Sequence, residues 1–320
     1  TLHMEAKYTR SHQTTTMAEQ VYRNTIHHNT VEDQIPIYTG DQARPAAHQQ
    51  IQQPHQDQGQ ENHQVNIQEK LQDHAATLQV QGSLLALAPR EKVDLIWKST
   101  MFQLKSGTVK FMLNASIDTL PTPANLRRWK FSTSDRCKLC GVRGTTNHYL
   151  NCCSVMLNSK KYTWRHNNLI KFIITNLDTS KYTVYSDLTG WEAPGGGTIP
   201  HDLCVTNLKP DIVIIDKHKK IVQLYELTVS LTMNIEERNK EKFKKYAPFI
   251  TDMTSYTCSV NCFEVSSTGF ISSRNKVTLT ALHKLLRKDL KKSVFLSNLN
   301  SLAWYGSYSL WLSREEHEYP

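Results

Sequence analysis

The stretch that most constrains this chain is Lys209-Pro210-Asp211-Ile212-Val213-Ile214-Ile215-Asp216, which runs through Lys217-His218-Lys219-Lys220 into Ile221-Val222-Gln223-Leu224-Tyr225-Glu226-Leu227-Thr228-Val229. Two β-branched, apolar runs separated by four charged residues predict a hairpin with a four-residue loop. A register that places Asp216 opposite Ile221 also places Asp211 opposite Glu226. Directly opposed side chains have Cβ atoms about 4.5 to 5.5 Å apart, where like charges repel. A divalent metal held between the two carboxylates relieves that repulsion. The plainer alternative is an acid pair on a solvated strand end, screened by water.

The length of 320 residues suggests about two domains. The net charge of +9 and pI near 9.1 favour a polyanionic partner, either nucleic acid or an acidic membrane surface. No stretch reaches the length of a membrane span and the first residues lack a secretory apolar core, so a soluble, intracellular protein with no membrane partner is expected. Seven cysteines, several clustered beside a histidine, suit a reducing compartment and a metal site better than a disulfide framework. A chain that opens on Thr1 instead of Met suggests a fragment.

Thirteen Gln fall between Gln42 and Gln81. Such a tract buries too little apolar area to offset its ordering entropy, and residues 1–85 are expected to be a disordered Gln/His-rich region. A helical linker follows over 86–135. There Val93, Ile96, Trp97, Met101 and Leu104, then Val109, Met112, Leu113, Ile117 and Leu120, recur at helical spacing and predict a helical hairpin. Arg127, Arg128 and Lys130 flank Trp129, a group suited either to nucleic acid or to a solvated loop anchored by one Trp.

Residues 136–160 carry Cys137-Lys138-Leu139-Cys140, His148 and the pair Cys152-Cys153. Three thiolates and an imidazole at this spacing predict a closed, tetrahedral, structural zinc knuckle. Cys153, one helical turn beyond His148, is the expected fourth ligand, with Cys152 the alternative. Such a site has no open position for substrate.

The region 161–315 reads as a helix through Leu169, Ile170, Ile173, Ile174 and Leu177, a strand from Tyr182 to Leu188, a loop from Trp191 to Leu208, and the hairpin strands. A charged helix from about Asn234 to Ile250, an apolar strand from Tyr256 to Val265 and a basic helix from Val277 to Val294 complete it. This order implies a three-layer α/β fold with a hairpin and a crossover to the last strand. On the charged helix, Arg238, Lys242, Lys245 and Tyr246 share one face, and Phe243, Ala247 and Ile250 another. Packed back across the sheet, that helix can aim a lysine at the acid pair.

Pro210-Asp211, a second acid at Glu226 and a lysine displaced onto the next helix resemble the PD-(D/E)XK, restriction-enzyme-like nucleases. Thr228 stands where the common version has lysine, which points to a variant. The series Cys137, Cys140, His148, Cys153; Arg165-His166; Lys209-Pro210-Asp211; Glu226; and Lys242, Lys245, Tyr246 resembles the endonuclease domain at the C-terminal end of site-specific non-LTR retrotransposon proteins. The upstream Asp118-Thr119-Leu120-Pro121-Thr122, Asn125-Leu126 and Trp129 resemble the linker of those elements, and the likeness covers about Lys105 to Trp311.

The resemblance implies a restriction-endonuclease-like core with a mixed sheet, preceded by the helical linker and the zinc knuckle. It implies nicking of double-stranded target DNA, in the nucleus after synthesis in the cytoplasm, to prime reverse transcription of element RNA. Asp211 and Glu226 would bind magnesium, Lys242 would assist the water or the phosphate, and Lys245 and Tyr246 would support the site. Arg165, His166, Lys209, Arg127 and Arg128 would serve the nucleic acid. A reverse transcriptase domain is expected in the full-length element, although this chain carries no polymerase motif. The competing expectations are a non-catalytic, zinc-knuckle nucleic-acid-binding protein derived from such an element, and a zinc-stabilised interaction protein with a Gln-rich arm.

Overall fold

The computed structural model describes residues 69–70, 73, 100–230, 235–253, 255–271 and 273–315, which fall in one compact unit, Gln68–Pro320. The Gln/His-rich region, apart from Glu69, Lys70 and Asp73, and the first helix of the expected helical hairpin, apart from its end at Met101 and Leu104, lie outside the described residues.

The hairpin residues do what their composition requires. Strands β1 (Thr183–Ser186), β2 (Ile212–Asp216), β3 (Ile221–Ser230) and β4 (Thr257–Ser266) form one sheet in the order β1-β2-β3-β4. The β2–β3 register pairs Asp216 with Ile221 and Ile212 with Tyr225, as the sequence predicts. β1 runs antiparallel to β2, whereas β3 and β4 are parallel, so the sheet is mixed. A parallel neighbour needs a crossover, and helices α5 (Ile235–Tyr246) and α6 (Phe249–Asp252) supply it. The expected single helix to Ile250 is broken by Pro248, whose ring and missing N–H disfavour a helix interior.

Before the sheet come α1 (Ser106–Ser116), α2 (Pro123–Arg128), a π turn (His148–Cys152), α3 (Ser154–Asn158) and α4 (Lys161–Asn176). After it come α7 (Lys276–Leu285) and α8 (Lys292–Leu312). The basic helix expected through Val294 is therefore two helices, divided where Arg287 N donates to Asn176 O at 3.0 Å and its guanidinium to Asn176 Oδ1 at 3.0 Å. Among the described residues no helix is long and apolar enough to cross a membrane.

Alternation along the strands sends side chains to two faces. Ile212, Ile214, Tyr225, Leu227, Phe263 and Val265 pack beneath α4, α7 and the first half of α8. Val213, Ile215, Val222, Leu224 and Cys258 pack against Tyr246, Phe249 and Met253 on the other face. The architecture is thus mixed α/β, with helices on both faces of a four-stranded sheet. A third core joins Phe111 and Met112 of α1, Tyr149 and Leu150 of the π turn, and Trp304, Leu310 and Trp311 of α8. Phe111 meets Trp304 edge-on at 6.1 Å and Tyr149 meets Trp311 at 5.9 Å. One C-terminal helix therefore closes two cores. Leu299 is fully buried in the first of them, and Leu299→Ala is expected to cost about 2 to 5 kcal/mol through lost transfer energy and a residual cavity, measured as a lower urea midpoint.

Candidate functional site

Two sites emerge, one of cysteines and a histidine and one of carboxyl groups. At the first, Cys137, Cys140, His148 and Cys153 bring one ligand atom each to within 4.8 Å of one another. The first pair sits on a tight turn in which Gly141 N donates to Cys137 O at 2.9 Å and Cys137 N to Val142 O at 2.7 Å. Gly141 has φ +72°, a conformation natural to glycine. The second pair depends on the π turn. Residues five apart diverge by about 140° on an α-helix of 3.6 residues per turn, whereas the wider i→i+5 turn returns Cys153 to the side of His148.

Cys153 is fully buried and Cys152 is exposed, so Cys153 is the fourth member of the set. Burial pushes the Cys137 thiol up, but hydrogen bonds from the Cys140 and Leu139 backbone and from Tyr149 bring it below its ordinary value. Burial also keeps His148 in the neutral form that a metal requires. Three thiols and an imidazole within this span match the donor set and compactness of a tetrahedral zinc site, with Zn–S near 2.3 Å. Among the described residues this is the one His/Cys/Asp/Glu group of three or more whose ligand atoms converge.

The linker braces this site. Thr122 caps α2 by accepting from Asn125 N at 3.2 Å, and Asn125 Nδ2 donates to the carbonyls of Asp118 and Leu120, each at 2.9 Å. Thr146 Oγ1 donates to Asp118 Oδ1 at 2.6 Å, joining the linker to the zinc region. Arg127 and Arg128 are about half exposed and pair with Asp135 at 3.2 Å and Asp118 at 3.9 Å; Arg128 lies 5.8 Å from the Trp129 ring centroid.

At the second site, just beyond the paired end of β2 and β3, Asp211 N donates to Glu226 Oε2 at 3.0 Å and Leu227 N to Asp211 Oδ2 at 2.8 Å. Two acids fixed this close each have a basic side chain beside them. Lys242 Nζ of α5 donates to Glu226 Oε1, and His166 Nε2 of α4 lies 3.1 Å from Asp211 Oδ2. Burial, then the charge of Asp211, raise the Glu226 carboxyl above its ordinary value despite Lys242. Burial works against the charged forms of Lys242 and His166, yet their acidic partners raise both. Tyr246 is buried and donates to Lys209 O at 3.1 Å; burial and the two acids raise its phenol. Lys245 Nζ donates to Tyr246 Oη at 3.0 Å, and Lys209, 55 % exposed, lies 3.6 Å from Asp187.

One sequence expectation changes. Arg165 is not at the surface available to nucleic acid: it is 2 % exposed and donates to Ser307 Oγ at 3.1 Å and Asn151 Oδ1 at 3.3 Å. Its neighbour His166 joins the carboxylates instead. Of the two faces set out for the charged helix, the one with Lys242 and Tyr246, joined by Asn239, meets the sheet, while Phe243 of α5 and Ile250 of α6 are each 45 % exposed. Buried acids on the sheet demand polar partners, and that demand outweighs two exposed apolar side chains.

Reading the sequence missed Ser186, whose hydroxyl donates to Asp211 O at 2.7 Å, and Glu264 of β4. Glu264 is 3 % exposed and accepts from Asn239 Nδ2, one helical turn before Lys242. A lone acid within Cys262-Phe263-Glu264-Val265 was the available signal, since buried carboxylates are rare unless paired. Burial lifts its carboxyl above the ordinary 4.5, outweighing hydrogen bonds from Asn239 and Asn275. The folded chain then holds a proton that the unfolded chain releases, so stability falls as pH rises from 4.5 through the raised value. Glu264→Gln is expected to flatten that fall and raise the neutral-pH melting temperature, checked by melts over a pH series; an unchanged slope would refute the assignment.

Comparison with known proteins bears on the first site. No curated protein matches the chain. Residues 81–164 match the family described as zinc-binding in reverse transcriptase, zf-RVT, a span that contains all four convergent ligands. Zinc binding is thus supported by both family similarity and geometry, and the chain is tied to a reverse-transcriptase-related element.

Proposed function

We propose that the chain is the endonuclease portion of a non-LTR retrotransposon protein, nicking double-stranded DNA by metal-assisted phosphodiester hydrolysis. The observation that carries this reading is the opposed pair Asp211 and Glu226 at the end of the sheet, with Lys242 on Glu226. Two carboxylates supply the hard oxygen donors that magnesium prefers, and magnesium takes few protein ligands and keeps several waters. When bound, the ion polarises a phosphoryl oxygen and lowers the pKa of bound water.

The chain's own groups have separable tasks. Leu227 N and His166 hold Asp211 Oδ2, while Asp211 N and Lys242 hold Glu226. Lys242, 36 % exposed at its side chain, retains access to solvent and can meet a phosphate from its free side. Tyr246 and Lys245 buttress the helix that presents it. Arg127, Arg128 and Lys209 are exposed cations suited to DNA or element RNA, and nuclear action on target DNA is part of the same proposal. Zinc in the Cys3His site holds the upstream turn and takes no part in chemistry.

A second reading, a non-catalytic nucleic-acid-binding module, is favoured by the basic side chain already lying on each carboxylate. Nicking of supercoiled plasmid by the full chain with magnesium separates them. The nuclease reading expects open-circular product that a chelator abolishes. Salt-dependent DNA binding without any nicking would leave the binding module.

A further inference from the structure

The two sites are joined by one helix. Asn151 lies in the π turn between His148 and Cys153, and its Oδ1 accepts from Arg165 Nη2 at 3.3 Å. Its Nδ2 donates to Ser267 Oγ at 3.1 Å and Asn147 Oδ1 at 3.0 Å. The other arm of Arg165 donates to Ser307 Oγ, which in turn donates to Ser267 O. Tyr162, one turn earlier on α4, reinforces the attachment: its hydroxyl is 3.0 Å from Tyr149 O, 3.1 Å from His148 O, and accepts from Cys153 N at 3.0 Å. The residue after Arg165 is His166, whose Nε2 is on Asp211.

Space has been made for this arrangement. A Cβ on Gly306 of α8 would stand 2.6 Å from Arg165 Cγ, so a glycine at a mid-helix position admits the arginine stem. A mid-helix glycine is costly relative to alanine, and so is a fully buried guanidinium; the two terminal nitrogens of Arg165 have partners and its Nε has none. A residue serving only to fill that volume would be apolar.

We propose that Arg165 is a positioning residue that transmits the order of the zinc turn to the carboxylate pair, holding α4 so that His166 meets Asp211. Its planar fork bridges Asn151 on the turn and Ser307 on α8, and a lysine, with a single point of donation, cannot reproduce both bonds. The consequence for divalent-ion affinity rests on the proposed role of Asp211 and Glu226.

The test uses the full zinc-loaded chain and the variants Asn151→Ala, Arg165→Lys, Ser307→Ala and, as surface control, Arg143→Ala. Manganese binding is followed by the paramagnetic resonance of the free ion, and zinc content by chelator release. The ring signals of His166 are read in 15N-histidine-labelled protein. Partners that orient ligands typically contribute 10- to 100-fold to metal affinity; one step further removed, Asn151→Ala and Arg165→Lys are expected to weaken manganese binding about tenfold while zinc is retained. Ser307→Ala, which removes one hydroxyl and little volume, is expected to act in the same direction by about threefold, and it decides the matter if the other variants fail to load zinc. The His166 signals should shift in all three and in none of the Arg143→Ala samples. Unchanged manganese affinity and unchanged His166 signals in zinc-loaded variants would overturn the proposal. Absence of manganese binding by the parent, with His166 signals still displaced in the variants, would overturn the metal reading of the acid pair and leave the positioning role standing.

Discussion

Asp211→Ala and Asp211→Asn are each expected to reduce plasmid nicking on the order of a thousandfold or more, equivalent to about 4 kcal/mol of barrier. The asparagine variant is the more informative. Its side-chain oxygen can still accept from Leu227 N, as Asp211 Oδ2 does, so the end of the sheet stays tied while the charge that would bind a divalent ion is lost. DNA affinity and its salt slope, governed by exposed cations elsewhere, should stay near those of the parent. A loss of only a few fold in Asp211→Asn would mean that the pair is not the reacting centre. Lys242→Met is a harsher change, because it leaves Glu226, 3 % exposed at its side chain, without its cation. Breaking a fully buried pair from one side costs about 3 to 5 kcal/mol, and with Lys242 36 % exposed the cost here should be smaller, so lost nicking has to be read beside a melting curve.

Removal of zinc should have the largest effect on stability. Cys137 and Cys153 are buried in the core shared by α1, the π turn and α8, and four ligand groups crowded together without an ion lose their organising centre. Metal-binding energy in such sites is folding energy, with apparent values of about 10 to 16 kcal/mol in small zinc modules. Chelation or Cys153→Ser is therefore expected to lower the melting temperature by at least about 10 °C, since each kcal/mol moves a chain of this size by a few degrees. Cys152→Ser should change neither zinc content nor melting temperature, because that thiol is exposed. Metal analysis and thermal melts of the two serine variants side by side provide the check; equal zinc loss in both would overturn the ligand set.

The sheet was legible because each central strand is a continuous β-branched run, and Asp216-Lys217-His218-Lys219-Lys220 admits one short loop between them; register followed from loop length. Ligand spacing made the zinc residues legible, and burial then separated Cys153 from Cys152. Helical periodicity puts Lys242 and Tyr246 on one face of α5 and Phe243 on another, but by itself it does not say which face meets the sheet. It takes no account of acids waiting on the neighbouring strands, and Asn239 and Lys242 turn inward to meet them. Arg165 was misjudged for the same reason: a charged side chain beside a histidine resembles a surface pair until its partners, more than a hundred positions away at Ser307, are known. Helix α8 escaped notice because apolar and small residues surround it on all sides, the mark of a helix buried between cores.

The position of α8 in the chain has a consequence for biosynthesis. Its far end supplies Ser313 O, which accepts from the buried ammonium of Lys161 across 152 positions, and its aromatic residues roof the zinc turn. During translation the four zinc ligands leave the ribosome long before this helix exists, and contacts of such sequence separation form late because the intervening loop must first be closed. Until then the turn has no roof, and its apolar side is exposed to chaperones and to other nascent chains. The packing of α8 over the turn is thus a late addition to a site whose four ligands are local in sequence. Truncation before α8 is therefore expected to expose the aromatic residues Tyr149 and Phe111 beside the zinc turn.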